Sequence, residues 1–277
     1  MTTDILPAQT RTEVIAFGLS SIELYYLLDY LKIEGLYGIS RSEFDAYAPD
    51  LKAVLLAAIQ KCLVAREFLQ DIDGSLKISP VVMNMLAPHL APTNTVYIYR
   101  GDQKIGRLYC FHRLQTLYVL RWSDEQDIHH FVSFAHRDDW SRAIIALLEL
   151  QADAHNRQSG LTLRCAVDAF TQVRAKAYEG DRVNVELALK EIKADAAVVQ
   201  SLANTLCQPL LQMTVVAAHT DRTKSAAEYT ATLVQGTDAT WILLRDVNPR
   251  PDTMMTIRHM MPGELEDHVK AFLNTCQ

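Results

Sequence analysis

Glycine is scarce in this chain: its 277 residues include only 10 glycines, and these do not cluster. A loop that cradles phosphate needs closely spaced glycines, because the backbone must approach the ligand. The motifs G-x-G-x-x-G, G-x-x-x-x-G-K-[ST], G-x-S-x-G and H-E-x-x-H are all absent. We therefore expect no catalytic residue, no cofactor and no enzymatic activity.

Paired cysteines and long apolar runs are missing as well. The five cysteines are scattered and include no C-x-x-C motif; they are Cys62, Cys110, Cys165, Cys207 and Cys276. Such a set is typical of reduced core thiols in a reducing compartment. No apolar stretch approaches the roughly 18–20 residues that span a bilayer, and the first residues do not form a signal peptide. We expect a cytoplasmic protein without membrane insertion, in which runs such as 53–59 and 143–150 are helical core segments.

Positive charge is in deficit, with 27 Lys and Arg against 33 Asp and Glu, a net charge of −6. A nucleic-acid binder needs a basic face to neutralise phosphates, so we expect no nucleic-acid partner. One pattern points the other way, because predicted helices at 20–34, 40–47 and 50–65 precede a hairpin at Asp73-Gly74, as in a winged helix. A ligand-sensing or transcription-regulatory module therefore stays as the alternative function.

What the chain does contain is an internal repeat. Helical segments that begin near Leu76 and Ile192 share apolar residues at a constant spacing of 116 positions. Each segment leads into successive β-type runs and then into a helix that closes near Leu148 or Leu273. The links between these runs are too short for parallel crossovers. The pattern predicts an α+β fold of internally duplicated helix–antiparallel β-meander–helix units, related by a pseudo-twofold axis.

The repeat also predicts how the chain is organised. We expect a flexible leader over residues 1–12, an N-terminal half over 13–150 and a C-terminal half over 151–277, packed as one compact unit and connected through 151–164. Related halves that pack about a pseudo-twofold axis use up the surface through which a single half would dimerise. We therefore expect a monomer or a weak homodimer.

A group of histidines is the one pattern that invites a metal hypothesis. His129, His130 and His136 lie close together and are followed by Asp138. In a strand, His130 and His136 share a face while His129 points to the other, so only a pair of imidazoles could converge. The favoured interpretation is that these are surface or edge-strand histidines at a loop. We predict no metal site, and whether this group binds anything stays open.

Two arginines occupy equivalent strand ends. Arg121 and Arg245 are each followed within three residues by an aspartate. This arrangement indicates either a charge pair repeated by symmetry or part of a polar partner surface.

Hairpin loops that differ between the halves are where a repeated scaffold can add function. The β-type runs place one such hairpin at residues 100–104 and another in the polar loop 219–226. We predict partner contact at six residues of these hairpins: Arg100, Asp102, Lys104, Asp221, Arg222 and Lys224.

The order of elements resembles that of the EspG family of cytosolic chaperones in type VII (ESX) secretion. The residues that carry the resemblance are L-V-A-R-E-F-L-Q-D-I-D-G-S-L-K-I at 63–78, T-V-Y-I-Y-R-G-D-Q-K-I-G-R-L-Y at 95–109 and L-V-Q-G-T-D-A-T-W-I-L-L at 233–244. The resemblance spans residues 14–274 and rests on topology and pattern. It implies a non-enzymatic chaperone whose protein client is a PE–PPE-like heterodimer.

Overall fold

The computed structural model describes residues 14–39, 42–101, 106–149, 160–221, 224–245, 253–260 and 263–275. The chain divides into two compact units, the first of residues 1–94 and 108–140, the second of residues 95–107 and 141–277. The second unit thus takes residues 95–107 and 141–150 from the predicted N-terminal half, 13–150. The predicted leader and residues 151–159 of the predicted connection lie outside the described residues, and the packing of the halves as one compact unit stays a prediction.

Helices and strands alternate in short groups along the chain. In order they are β1 Ala16–Ser20, α1 Ser21–Tyr30, α2 Ser42–Asp45, α3 Pro49–Ala65, β2 Leu69–Ile72, β3 Ser75–Ile78, α4 Pro80–Leu90, β4 Asn94–Gly101, β5 Gly106–Leu114, β6 Leu117–Ser123, β7 Ile128–Phe134, α5 Arg137–Leu147, β8 Thr162–Ala166, α6 Val167–Tyr178, α7 Arg182–Glu191, α8 Ala196–Cys207, β9 Leu211–Asp221, β10 Lys224–Gln235, β11 Thr240–Arg245, β12 Met254–His259 and α9 Glu264–Thr275.

Each unit is built on an antiparallel sheet. The strand order is β1-β7-β6-β5 in the first unit and β4-β9-β10-β11-β12-β8 in the second. The small hairpin β2–β3 stands apart from the first of these sheets. Registers such as Phe17 with Phe131 and Trp241 with His259 confirm antiparallel pairing. The predicted α+β class is confirmed.

The repeat order is visible in the elements. The run α4-β4-β5-β6-β7-α5 has the same sequence of helices and strands as the run α8-β9-β10-β11-β12-α9. The short strands β1 and β8 also correspond to each other, because β1 pairs with β7 and β8 pairs with β12. The duplication itself and its pseudo-twofold axis stay predictions.

Two strands differ from the sequence prediction. The sequence predicts no element for residues 16–19 of β1, and β8 covers residues 162–164, which the sequence predicts as part of the connection. Both are five-residue strands that pair on one side only, β1 with β7 and β8 with β12. Their strand state comes from a distant partner, so a local pattern does not reveal it.

Local signals act as predicted at two places. Ser20 caps α1, and the Glu23 side chain returns a bond to the Ser20 amide at 2.9 Å, which completes a capping box. The Asp73-Gly74 turn of β2–β3 has φ values of +55° and +77°, the left-handed conformations that a tight hairpin turn requires. The predicted helix over 20–34 is too long at its C-terminal end, because α1 stops at Tyr30 and Lys32 adopts a φ of +59°.

α3 corrects one core prediction. Its bounds match the expected helix, but the run 53–59 contains no buried residue. Only Leu63 of α3 is buried, within a core that includes Leu27 of α1, Leu86 of α4 and Phe131 of β7. The apolar residues of α3 itself lie on most sides of the helix. Their spacing therefore predicts a helix, but it does not indicate which side faces the core.

The second unit has its own core. Helices α6, α7 and α8 pack residues such as Phe170, Leu189 and Leu202 against Trp241 and Ile257 of the sheet. Among the described residues, no helix is long and apolar enough to cross a membrane.

Candidate functional site

One face of the second unit's sheet is only partly covered by helices. Side chains alternate between the two faces of a strand, and the register places Thr232 beside both Thr214 and Leu243. Leu243 and Trp241 on this face belong to the core formed with α6, α7 and α8. Toward β9, the face continues as five half-buried residues, which we call the open strip: Gln212, Thr214, Val216, Thr230 and Thr232.

An open cavity of ≈ 380 Å³ lies along the strip. Four strip residues line it together with Phe170, Thr171 and Arg174 of α6. The hydroxyls of Thr214 and Thr232 lie 3.1 Å apart and bond to each other across the strands. The surface offered here is therefore made of threonine and valine methyl groups, with a charge only at its α6 border.

A second cavity of ≈ 410 Å³ lies at Gln212, at the other end of the strip. Tyr99 of β4 and Tyr178 of α6 stand at its border, and they are 47% and 69% exposed. Arg174 fixes Tyr178, because its guanidinium donates to the phenol oxygen at 2.8 Å. Cys207 lies in the wall, and burial raises the pKa of its thiol. Two exposed aromatic rings beside an apolar groove are typical of a protein-binding surface.

Three of the six predicted contact residues, Arg100, Asp221 and Lys224, lie at or next to a strand end among the described residues. Arg100 is half-buried and donates to the Leu147 carbonyl at 2.6 Å, so its guanidinium is tied to the end of α5. Asp102, Lys104 and Arg222 lie outside the described residues.

The second predicted hairpin joins β9 to β10. The backbones of Asp221 and Lys224 pair where β9 meets β10, and their side chains are outside the described set. β10 pairs with β11 over 231–235 only. Its outer part, residues 224–230, therefore extends past the described end of β11. Partner contact by the six predicted residues stays a prediction, and sequence reasoning missed the open strip because no motif marks it.

The histidine group does not gather at one point. The His129 ring is buried, with its Nε2 3.0 Å from Ser21 Oγ. His130 instead contacts Asp124 at 2.8 Å on the other face, and His136 is exposed after the end of β7. Among the described residues, no three His, Cys, Asp or Glu side chains are placed to hold a metal ion.

The predicted pairing of Arg121 with an aspartate is wrong. Arg121 is 3% exposed and bonds to the Tyr37 carbonyl and, at 3.2 Å, to Cys110 Sγ. Asp124 turns to His130 and to the backbone amides of Gln126 and Ile128. The side chain of Arg245 lies outside the described set, so its pairing stays a prediction.

Arg121 belongs to a buried polar cluster in the first unit, formed with His89, His112 and His129. The His89 and His112 rings pack edge to face at 4.4 Å. Burial, and then the charge of Arg121, lowers the pKa of His112 to about 3 and of His129 to about 4. Burial also lowers the pKa of His89 well below its usual value. These imidazoles are neutral at physiological pH and form part of the interior.

Comparison with known proteins identifies the fold. No protein-family model matches the chain, and no curated protein matches it by sequence. A solved structure of the Mycobacterium tuberculosis type VII secretion system chaperone EspG5, in complex with a PE25–PPE41 dimer, aligns with a TM-score of 0.61. The alignment covers 94% of this chain and 96% of EspG5, at 14% sequence identity. The chain has an EspG-like fold. The expected resemblance is therefore confirmed at the level of the fold.

Proposed function

We propose that this EspG-like protein is a non-enzymatic chaperone or adaptor that binds a protein client on the open strip. The observation that supports this most is the partly uncovered sheet face between Thr214 and Thr232, with half-buried, neutral side chains and an open cavity at either end. Soluble proteins rarely leave a contiguous surface of this kind unless a partner covers it.

The EspG-like fold supports one class of client. EspG5 is described in complex with a PE25–PPE41 dimer, and this chain shares its fold over nearly the whole length. The client we propose is a PE–PPE-like heterodimer, held in the cytoplasm on a type VII-like secretion route. Such a client brings apolar segments that need cover before export, and the open strip offers methyl groups to cover them and hydroxyls to bond their backbone.

The strip binds by shape and apolar contact in this proposal. An apolar polypeptide segment lies along β9 and β10, and its side chains enter the two cavities beside Phe170 and Tyr178. The exposed tyrosine rings supply large contact areas with few rotatable bonds, which keeps the entropy cost of binding small. No bond is made or broken, so no catalytic group is required.

Substitution of the strip tests the proposal. The tagged protein is purified from its own host as wild type, as Val216→Glu and as Tyr178→Ala, and retained proteins are quantified by mass spectrometry. We expect a PE–PPE-like pair with the wild type and at least about tenfold less of it with Val216→Glu, because a carboxylate must then be desolvated in the interface. Val183→Glu on α7 is the matched control, since Val183 is 69% exposed and lies away from the strip.

Two results would contradict the chaperone function. One is recovery of no protein client together with a bound metabolite. The other is a client retained equally by every variant. The transcription-regulatory alternative is tested by a gel-shift series against salt, because a phosphate binder weakens steeply as salt rises. No binding even at low salt would end that alternative.

A further inference from the structure

A second apolar surface lies in the first unit, away from the open strip. α3 packs inward through Ile59 and Leu63, and Tyr26 of α1 donates to Gln60 at 3.1 Å. These contacts fix which side of the helix faces the core. The opposite side is left in solvent over the full length of the helix.

This opposite side, the outer face of α3, consists of exposed residues that recur every three or four positions. They are Asp50, Leu51, Ala53, Val54, Ala57, Ala58, Lys61, Cys62, Val64 and Ala65. Val54 is 67% exposed and Leu51 47%. At about 3.6 residues per turn these positions share one side of the helix. A surface helix normally turns charged residues to solvent, so an outer face this apolar indicates that another surface covers it.

The few charges on the outer face are arranged to complement themselves. Asp50 lies in the first turn of α3, and Lys61 follows about three turns later on the same side. Neither side chain forms an ion pair with another described residue. Between them the face carries only apolar side chains, four of them alanines or valine: Ala53, Val54, Ala57 and Ala58.

We propose that two copies of this chain pair through the outer faces of α3, antiparallel about a twofold axis near residues 55–56. Asp50 then lies beside the partner's Lys61, and Lys61 beside the partner's Asp50. Val54 meets the partner's Ala57. The alanines let the two helices approach toward the lower end of the roughly 8–10 Å range of helix packing. An isologous pair of this kind satisfies both charges and covers the apolar stripe at once.

The dimer is weak because its interface is one helix from each copy. Such an interface is smaller than the roughly 1,200–2,000 Å² that stable complexes bury. We expect a monomer–dimer equilibrium that sedimentation velocity detects between about 1 and 200 µM protein, a range set by the affinity scale of small interfaces. This proposal does not depend on client binding, because it uses a different unit and a different surface.

Charge reversal is the decisive test. Asp50→Lys places two lysine pairs across the axis, and Lys61→Asp places two acidic pairs there. Each variant alone should dimerise at least about tenfold more weakly than wild type. An equimolar mixture of the two should dimerise again, because each interface position then pairs opposite charges. The double variant Asp50→Lys/Lys61→Asp should dimerise as well.

Substitutions of Val54 test the proposed interface independently of its charges. Val54→Glu should abolish the dimer, whereas Val183→Glu, at an equally exposed valine on α7, should leave it unchanged. Val54→Cys should form a disulfide-linked dimer on mild oxidation, since the two positions lie about 4.5 Å apart along the helix axes. The native Cys62 pair is separated by about 20 Å in the same geometry and should not cross-link.

Three results would overturn the proposal. The first is a protein that stays monomeric up to about 200 µM, the upper end of the range expected for a small interface. The second is a dimer that ignores Val54→Glu. The third is a pair of charge variants that fails to recover on mixing. A different protein found on the outer face, with no self-association, would likewise replace the homodimer.

Discussion

At the residue scale, Arg121 has the most unusual surroundings. Its guanidinium is buried among His89, His112 and His129, and no carboxylate pairs with it among the described residues. A buried positive charge without a carboxylate partner raises the free energy needed to place a second positive charge nearby. The interior of the first unit is therefore sensitive to protonation of these histidines.

We predict that the free energy of unfolding falls as the pH drops below 6.5. The unfolded chain takes up a proton at His112 near pH 6.5, whereas the folded chain resists protonation until about pH 3. The folded pKa is depressed, so the neutral form is favoured and stability is lost on acidification. His112 alone should remove roughly 2 kcal/mol between pH 6.5 and pH 5. Urea unfolding at pH 7.5, 6.5 and 5 measures the slope.

Two variants separate His112 from other titrating groups. His112→Gln lowers stability at every pH but should flatten the dependence by roughly 2 kcal/mol over the same interval. His136→Gln, at an exposed position, is the matched control for the loss of one imidazole. An unchanged slope in His112→Gln would contradict the assignment.

At the element scale, the start of α1 shows how a short motif positions a helix. The Ser20 side chain accepts from the Glu23 amide at 3.3 Å, and the Glu23 carboxylate binds the Ser20 amide and reaches Arg66 at 2.6 Å. β1 ends at the residue that caps α1, so one motif sets both the strand end and the helix start. The helix then directs Leu24, Leu27 and its other buried residues into the core.

Ser20→Ala should lower the free energy of unfolding by about 1 kcal/mol, because it removes the cap oxygen from the first turn of α1. Ser20→Gly should cost only a few tenths of a kcal/mol relative to the serine. Chemical denaturation of the three proteins side by side measures both changes. An equal loss of unfolding free energy in Ser20→Ala and Ser20→Gly would contradict this account of how residue 20 caps the first turn.

At the scale of the whole molecule, the two units have separate cores. The cluster around Leu27 lies in the first unit and the cluster around Leu202 in the second, and they share no residue. Both leucines are fully buried. Large-to-small changes at such positions remove apolar contact and leave a cavity.

Leu27→Ala and Leu202→Ala should each destabilise the protein by about 2–5 kcal/mol. In the double variant the two losses should add to within about 0.5 kcal/mol, because the two leucines belong to clusters that have no residue in common. Calorimetry or denaturant unfolding of the four proteins completes the cycle. A coupling free energy well above 1 kcal/mol would mean that a change in one core alters the packing of the other. The description by two separate clusters would then fail.

The sequence by itself determined the features whose causes lie within a few residues. The capping box at Ser20, the turn at Asp73-Gly74 and the succession of β-type runs each follow from neighbouring side chains and backbone conformation. The α+β class and the antiparallel pairing could be predicted because short links between strands leave no other connection. The EspG-like order of elements could be read for the same reason.

Only the tertiary structure decided the features that depend on residues far along the chain. β1 and β8 are strands because distant β7 and β12 pair with them. Arg121 has an aspartate three positions away, yet its bonds go to Tyr37 and Cys110. The outer face of α3 is exposed because no neighbouring element among the described residues covers it. The open strip is half-buried because the helices cover its face of the sheet only in part. Exposure is a property of what packs nearby, and a linear pattern of apolar and polar residues does not contain it.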